Sequence, residues 1–152
     1  MRKRTVAREV ALRFLYQWEI NGDENNNEKG IQEFILLLTN DQQITEFAKS
    51  LIDGLFLHKE KIDSCIRAVS HNWKLERMAI IDRNIIRLGA FELIFRDDIP
   101  ILVSINEAVD FAKRYSTRKS GSFVNGVLDS ICKKYACQKS AANKGTEAVL
   151  PQ

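Results

Sequence analysis

At 152 residues, 45% of them hydrophobic and 28% charged, the chain has the length of one domain and enough apolar side chains to bury a core. That balance excludes a disordered polyampholyte, and no apolar run approaches the about 20 residues that cross a bilayer as a helix. The net charge of +3 hides a division: residues 2–13 carry +4, residues 19–63 carry −6 and residues 105–144 carry +5. Basic ends around an acidic middle point to a polyanion-binding face if the two ends meet in space.

Arg2, Lys3 and Arg4 look like the start of an export signal, but Arg8, Glu9 and Arg13 interrupt any apolar core behind them. The chain is therefore expected to stay in the cytoplasm. Cys65, Cys132 and Cys137 leave an odd cysteine and show no Cys-x-x-Cys spacing, which suits reduced, ordinary thiols. His58 and His71 stand far apart without a cysteine-rich neighbourhood, so no metal and no cofactor is expected.

In chain order, residues 4–20 set Val6, Ala7, Val10, Ala11, Phe14, Leu15 and Trp18 at three- and four-residue spacings, which predicts a first helix. Asn21-Gly22 ends it, and Asp23 to Asn27 form a polar loop. A second helix is predicted over residues 28–38 with Asn27 as its cap. A third starts near Gln43 and runs on through Leu55 and Phe56, bending at Gly54 before it resumes through Ile62, Ile66 and Val69. Trp73 falls in the connection that follows. Residues 75–95 are apolar on nearly every side, the pattern of a central buried helix. Ile99-Pro100 closes it, because the residue before proline is driven out of the helical region. Ser104-Ile105-Asn106-Glu107 reads as a capping box opening a helix to Tyr115, and Ile99 to Val103 is the one strand-like segment. A last helix is predicted over residues 122–135. Residues 138–152 lack periodicity and are expected to be a flexible tail behind a single domain, 1–137. The fold class is all-α, a compact bundle of about seven helices with short connections.

No catalytic constellation stands out: the seven glycines are scattered, and there is no phosphate-cradling loop or nucleophile elbow. Glu92 falls on the stripe of Ile81, Ile85, Leu88 and Phe95, so its carboxylate should be buried and must be hydrogen-bonded. A general acid or base is one reading. A structural carboxylate bonded by the turn at residues 100–105, or by an arginine, is the stronger one, since no second carboxylate or histidine shares the stripe. Arg4 and Arg8 lie one turn apart on one edge of the first helix, where the helix dipole disfavours cations. That placement favours exposed phosphate contacts over helix stability. Lys113, Arg114, Arg118 and Lys119 surround a Ser/Gly-rich linker, residues 116–122, with Phe123 just beyond. Cations beside a ring at a flexible joint suit single-stranded nucleic acid, the cations holding phosphates and the ring stacking on a base.

From Arg4 to Cys132 the chain resembles the NusB family. The resemblance rests on Arg4…Ala7-Arg8-Glu9…Ala11…Leu15-Tyr16-Gln17-Trp18, on Trp73, and on Asp82-Arg83…Ile86-Arg87-Leu88…Phe91-Glu92-Leu93. It continues through Ile99-Pro100, Ser104-Ile105-Asn106-Glu107-Ala108-Val109 with Ala112-Lys113, and Phe123-Val124-Asn125-Gly126-Val127-Leu128-Asp129. The resemblance implies two helical subdomains, no enzymatic activity, and a role in transcription antitermination. Its implied ligand is boxA-type RNA of ribosomal RNA leader transcripts, bound with NusE, a small-subunit ribosomal protein. Other Nus factors and RNA polymerase would be met indirectly. By motif position it makes Arg4, Arg8, Lys113, Arg118, Lys119 and Phe123 candidate RNA contacts, and it puts Tyr16 and Asp82 where the family meets NusE. Glu92, Asn106, Glu107 and Asn125 are read as structural. Thr5 and Val6 thin the N-terminal basic run, and the linker at 116–122 is more basic than the family pattern. An RNA-binding or protein–protein adaptor module in ribosomal RNA processing, and a homodimer of the free chain, stay open as alternatives.

Overall fold

The computed structural model describes residues 2–136; Cys137 and the expected tail at 138–152 lie outside the described residues. Among the described residues there are seven α-helices, two short 3-10 turns and no strand. A first compact unit ends at His58 and a second begins at Lys59.

The first unit holds α1 (Lys3–Asn21), α2 (Glu28–Leu38) and α3 (Gln42–Leu57). The heptad-like spacing in α1 buries Ala7, Val10, Ala11, Phe14 and Leu15. Gly22 stops this helix with φ +81, a backbone region that favours glycine, and its N–H closes on the Trp18 carbonyl at 2.8 Å. The Asn27 side chain caps α2 as the sequence predicts, accepting the Gly30 N–H at 2.8 Å. Asp41 caps α3 in the same way, accepting from the Ile44 N–H at 3.1 Å. α1 packs along α3, and Phe14 meets Phe34 and Phe56 edge-on with ring centroids 5.3 and 6.2 Å apart. The predicted bend at Gly54 is displaced. Gly54 stays inside α3, and the helix breaks at His58, whose N–H still reaches the Gly54 carbonyl.

The second unit holds α4 (Lys59–Val69), α5 (Ile80–Phe95), α6 (Ile101–Tyr115) and α7 (Arg118–Tyr135). α5 is its centre: α4, α6 and α7 all pack on it, and every residue from Asn84 to Leu93 is buried. It begins later than the apolar run predicts. Leu75–Arg77 form a separate 3-10 turn, and the extended backbone of Met78 and Ala79 delays the helix to Ile80. The Arg83 guanidinium bridges this junction by donating to the Glu76 and Met78 carbonyls at 3.3 and 3.2 Å.

Two sequence expectations are overturned at the next junctions. α6 opens directly after Pro100, with no side-chain cap, because proline ends the preceding segment yet already has the φ a helix requires. The strand-like residues 101–103 are therefore its first turn, and Ser104 is a buried interior residue rather than the cap of a box with Glu107. Between α6 and α7 only Ser116 and Thr117 remain as connection. Thr117 Oγ1 accepts the Ser120 N–H at 3.1 Å and starts α7 at Arg118, so the expected linker at 116–122 is mostly helix.

Candidate nucleic-acid interface

Arg4 and Arg8 converge on one ring. The Arg4 guanidinium lies 4.4 Å from the Phe47 ring centroid and that of Arg8 lies 5.5 Å from it, so the one-turn spacing on α1 meets a single aromatic on α3. Their exposure differs sharply: Arg4 is exposed, whereas Arg8 is only 2% exposed. The expectation that both are free phosphate contacts is corrected for Arg8, which sits where the helix faces α3 and is a packing residue.

The first turn of α1 carries no acidic residue, and the missing counter-charge comes from α3. Lys3 Nζ lies 3.0 Å from Asp41 Oδ2 and donates to Gln43 Oε1 at 2.8 Å. The Lys3 hydrogen bond, followed by that of the Ile44 amide, holds the Asp41 carboxyl below its ordinary value. Beside this pair opens a cavity of about 470 Å³ lined by Lys3, Arg4, Gln43, Glu46, Phe47 and Ser50.

The second basic group lies at the α6–α7 corner. Lys113, Arg114, Arg118 and Lys119 are all exposed. The Lys113 stem crosses α7 at Gly121, where a Cβ would come within 2.9 Å of Lys113 Cγ and force the stem to shift. The Ser120 hydroxyl lies within hydrogen-bond distance of both the Ser116 and the Thr117 hydroxyls, so the corner is a tied turn and not a flexible joint. Phe123 is half-buried one turn beyond Lys119, and its ring centroid lies 5.7 Å from that of Trp73, inclined by 68°. Trp73 is 62% exposed. An indole so exposed, against a second ring one turn from Lys119, is an arrangement on which unpaired bases stack.

The remaining candidates separate. Tyr16 is exposed on α1 with Ile20 one turn on, an apolar strip facing solvent. Asp82 is buried: its Oδ2 accepts the Ser120 hydroxyl at 3.0 Å, and its Oδ1 is enclosed without a hydrogen-bond partner. Its burial follows from the first turn of α5 facing α7. Glu92 is 1% exposed and accepts the Ser104 hydroxyl at 2.8 Å, so its buried carboxylate is bonded from the start of α6. Asn106 and Asn125 are exposed on α6 and α7, and Glu107 is half-buried. Among the described residues no three His, Cys, Asp or Glu side chains group to hold a metal ion, and no helix is long and apolar enough to cross a membrane.

Phe47 and Trp73 escaped the sequence reading as candidate site residues. Phe47 carries the helical spacing of a core residue, and nothing in sequence ties it to Arg4 forty-three positions away. Trp73 had one usable signal, a large aromatic in a polar connection.

An all-helical chain of two units with basic, aromatic-bearing surfaces belongs to the class of helical nucleic-acid-binding proteins. The NusB family model matches residues 5–133, and the chain belongs to that family. The transcription antitermination protein NusB of Desulfitobacterium hafniense is 41% identical over 128 residues, 84% of this chain and 86% of its own length. The structure of T. maritima NusB superposes with a TM-score of 0.80 at 38% identity, covering 91% of this chain and 96% of the other. A crystal structure of antitermination factors NusB and NusE in complex with dsRNA contains a chain that matches with a TM-score of 0.79 at 34% identity, covering 89% of this chain and 99% of that one.

Proposed function

We propose that this chain is a transcription antitermination factor without catalytic activity, acting in the cytoplasm. It holds boxA-type RNA of ribosomal RNA leader transcripts jointly with a NusE-type ribosomal protein, and through that pair it meets the other Nus factors and RNA polymerase. The observation that carries this reading is the match over 89% of the chain to a structure of NusB and NusE in complex with dsRNA. The exposed cations Arg4, Lys113, Arg118 and Lys119 support it as phosphate contacts, and the Trp73–Phe123 pair supports it as a base platform. We assign single-stranded RNA as the ligand, because rings stack on bases only where those bases are splayed out of a helix. The exposed strip of Tyr16 and Ile20 is the surface we assign to the protein partner.

The test is co-purification with the NusE-type protein, followed by calorimetric titration of boxA-like, scrambled and duplex RNAs. The boxA-like single strand should bind most tightly to the two proteins together. Linkage then requires RNA to raise the affinity between the proteins by the same factor. Equal partner affinity with and without RNA would remove the joint assembly and leave an independent RNA-binding module.

A further inference from the structure

We propose that the cavity between α1 and α3 in the first unit is a base-reading pocket that receives the Watson–Crick edge of an unpaired guanine; the inference rests on the RNA-binding reading and adds sequence selectivity to it. Its lining is Lys3, Arg4, Gln43, Glu46, Phe47 and Ser50, around a volume of about 470 Å³. That is in the range of small-ligand clefts and ample for one nucleobase.

Charge decides between a phosphate and a base. Of the two cations at the rim, Lys3 is already engaged by Asp41 at 3.0 Å. Glu46 adds a carboxylate to the lining, so a phosphate is repelled from the pocket itself and is held at its rim by Arg4. A base edge suits the same residues. The Arg4 guanidinium carbon lies 4.4 Å from the Phe47 ring centroid at the edge of this pocket, and arginine planes stack on bases as aromatic rings do.

The edge chemistry then selects the base. Glu46 uses one lone pair of Oε1 to accept the Gln42 side-chain amide at 3.0 Å, which leaves Oε2 and the other lone pair of Oε1 to accept from a base. Gln43 has its Oε1 occupied by Lys3 Nζ at 2.8 Å, which orients its NH₂ group as a free donor. A carboxylate is acceptor-only and an amide NH₂ is donor-only, so the pocket asks for two donors beside an acceptor. Guanine offers N1–H and N2–H₂ to the carboxylate and O6 to the amide. Adenine and cytosine each place one donor beside a ring acceptor, which the carboxylate would repel. Uracil has a single donor between two acceptors.

The experiment titrates the full chain with short uridine oligomers that carry one central guanosine, adenosine, cytidine or inosine. The guanosine oligomer should bind about tenfold more tightly than the adenosine one, as a bidentate base contact typically gives. Inosine, which lacks the 2-amino group, should fall between. In Glu46→Gln the ratio of guanosine to adenosine affinity should collapse towards one; the ratio is taken within each variant, so a general loss of folded protein or of phosphate contacts cancels. Equal affinity of the native chain for all four oligomers overturns the pocket while leaving RNA binding intact, and so does a guanosine preference that survives Glu46→Gln. Failure of every oligomer to bind at low salt overturns the RNA-binding reading and the pocket with it.

Discussion

Ser104, in the second turn of α6, donates its hydroxyl to the buried carboxylate of Glu92 on α5 over 2.8 Å. This bond couples two neighbouring helices in the middle of an apolar core, where an unmatched polar group is expensive. Glu92→Ala should therefore lower stability by about 1–3 kcal/mol, because it strands the hydroxyl and leaves a void. Ser104→Ala should remove one partner from the carboxylate, and the double variant should lose less than the two single losses together. Urea midpoints measure all three. Strict additivity would show that the bond contributes nothing as a pair.

The same two residues show what the sequence made legible. Glu92 was visible as a buried structural carboxylate from its place on the apolar stripe, since helical periodicity reports burial directly. Ser104 is not legible in the same way, because Ser-x-x-Glu has the form of a capping box and Pro100 has that of a stop. Proline also starts helices, and here that role prevailed. The caps at Asn27 and the stop at Gly22 were legible because each depends on one local residue type. The burial of Arg8 and Asp82 was not, since it depends on which neighbouring helix each side chain faces. A charged residue on a helical edge has the same sequence signature whether that edge meets water or α3.

A second buried pair lies between α4 and α5. Arg87 donates from Nε to Asp63 Oδ1 at 2.8 Å and from a terminal nitrogen to Oδ2 at 3.3 Å, and it also reaches Asn84 Oδ1 at 3.0 Å. Both members are less than a tenth exposed. Arg87→Ala should destabilise the protein by about 3–5 kcal/mol, because Asp63 would keep only Lys59 as a counter-charge. Replacing both residues by apolar side chains of similar size should recover much of that loss. Thermal melts of the single and double variants decide it, and a single variant as stable as the parent would contradict the account.

Arg4 and Arg8 should part company on substitution. Arg4→Ala should weaken RNA binding while leaving the melting temperature unchanged, with the slope of log K against log salt shallower by about 0.7 per lost contact on a single strand. Arg8→Ala should lower the melting temperature first, since its stem and guanidinium are buried against Phe47. The reverse pattern, a stable Arg8 variant with lost RNA affinity, would restore Arg8 as a direct contact.

Asp41 gives the α1–α3 junction a pH dependence of defined sign. Lys3 and the Ile44 amide depress its carboxyl below 3.8, so the folded state binds this proton less readily than the unfolded chain does. The stability it contributes is fully present above the ordinary aspartate range and is lost as pH falls through the depressed folded value. An NMR titration of the side-chain carboxyl carbon should give a midpoint under 3.8, and Lys3→Ala should move it upwards. A midpoint at or above 3.8 in the native chain would show that neither partner engages the carboxylate in solution.

Trp73 supplies an optical report on the second unit. The chain has two tryptophans, and their surroundings differ. Trp18 donates its indole N–H to Asp23 at 2.7 Å and packs edge-on against Phe56, so its emission should respond little to a ligand at the α6–α7 corner. Trp73 is largely exposed and touches Phe123. A base stacked on that pair would quench Trp73 emission, and the quench should saturate with RNA concentration and weaken with salt. Trp73→Ala should abolish the quench and weaken binding by about 1–3 kcal/mol, the usual contribution of one stacked base. Phe123→Ala should weaken binding similarly while leaving Trp73 emission insensitive to RNA, because the indole loses the ring against which a base would be held. Quenching that persists in Trp73→Ala would trace the signal to Trp18, and the ring pair at Trp73 and Phe123 would no longer be a base platform.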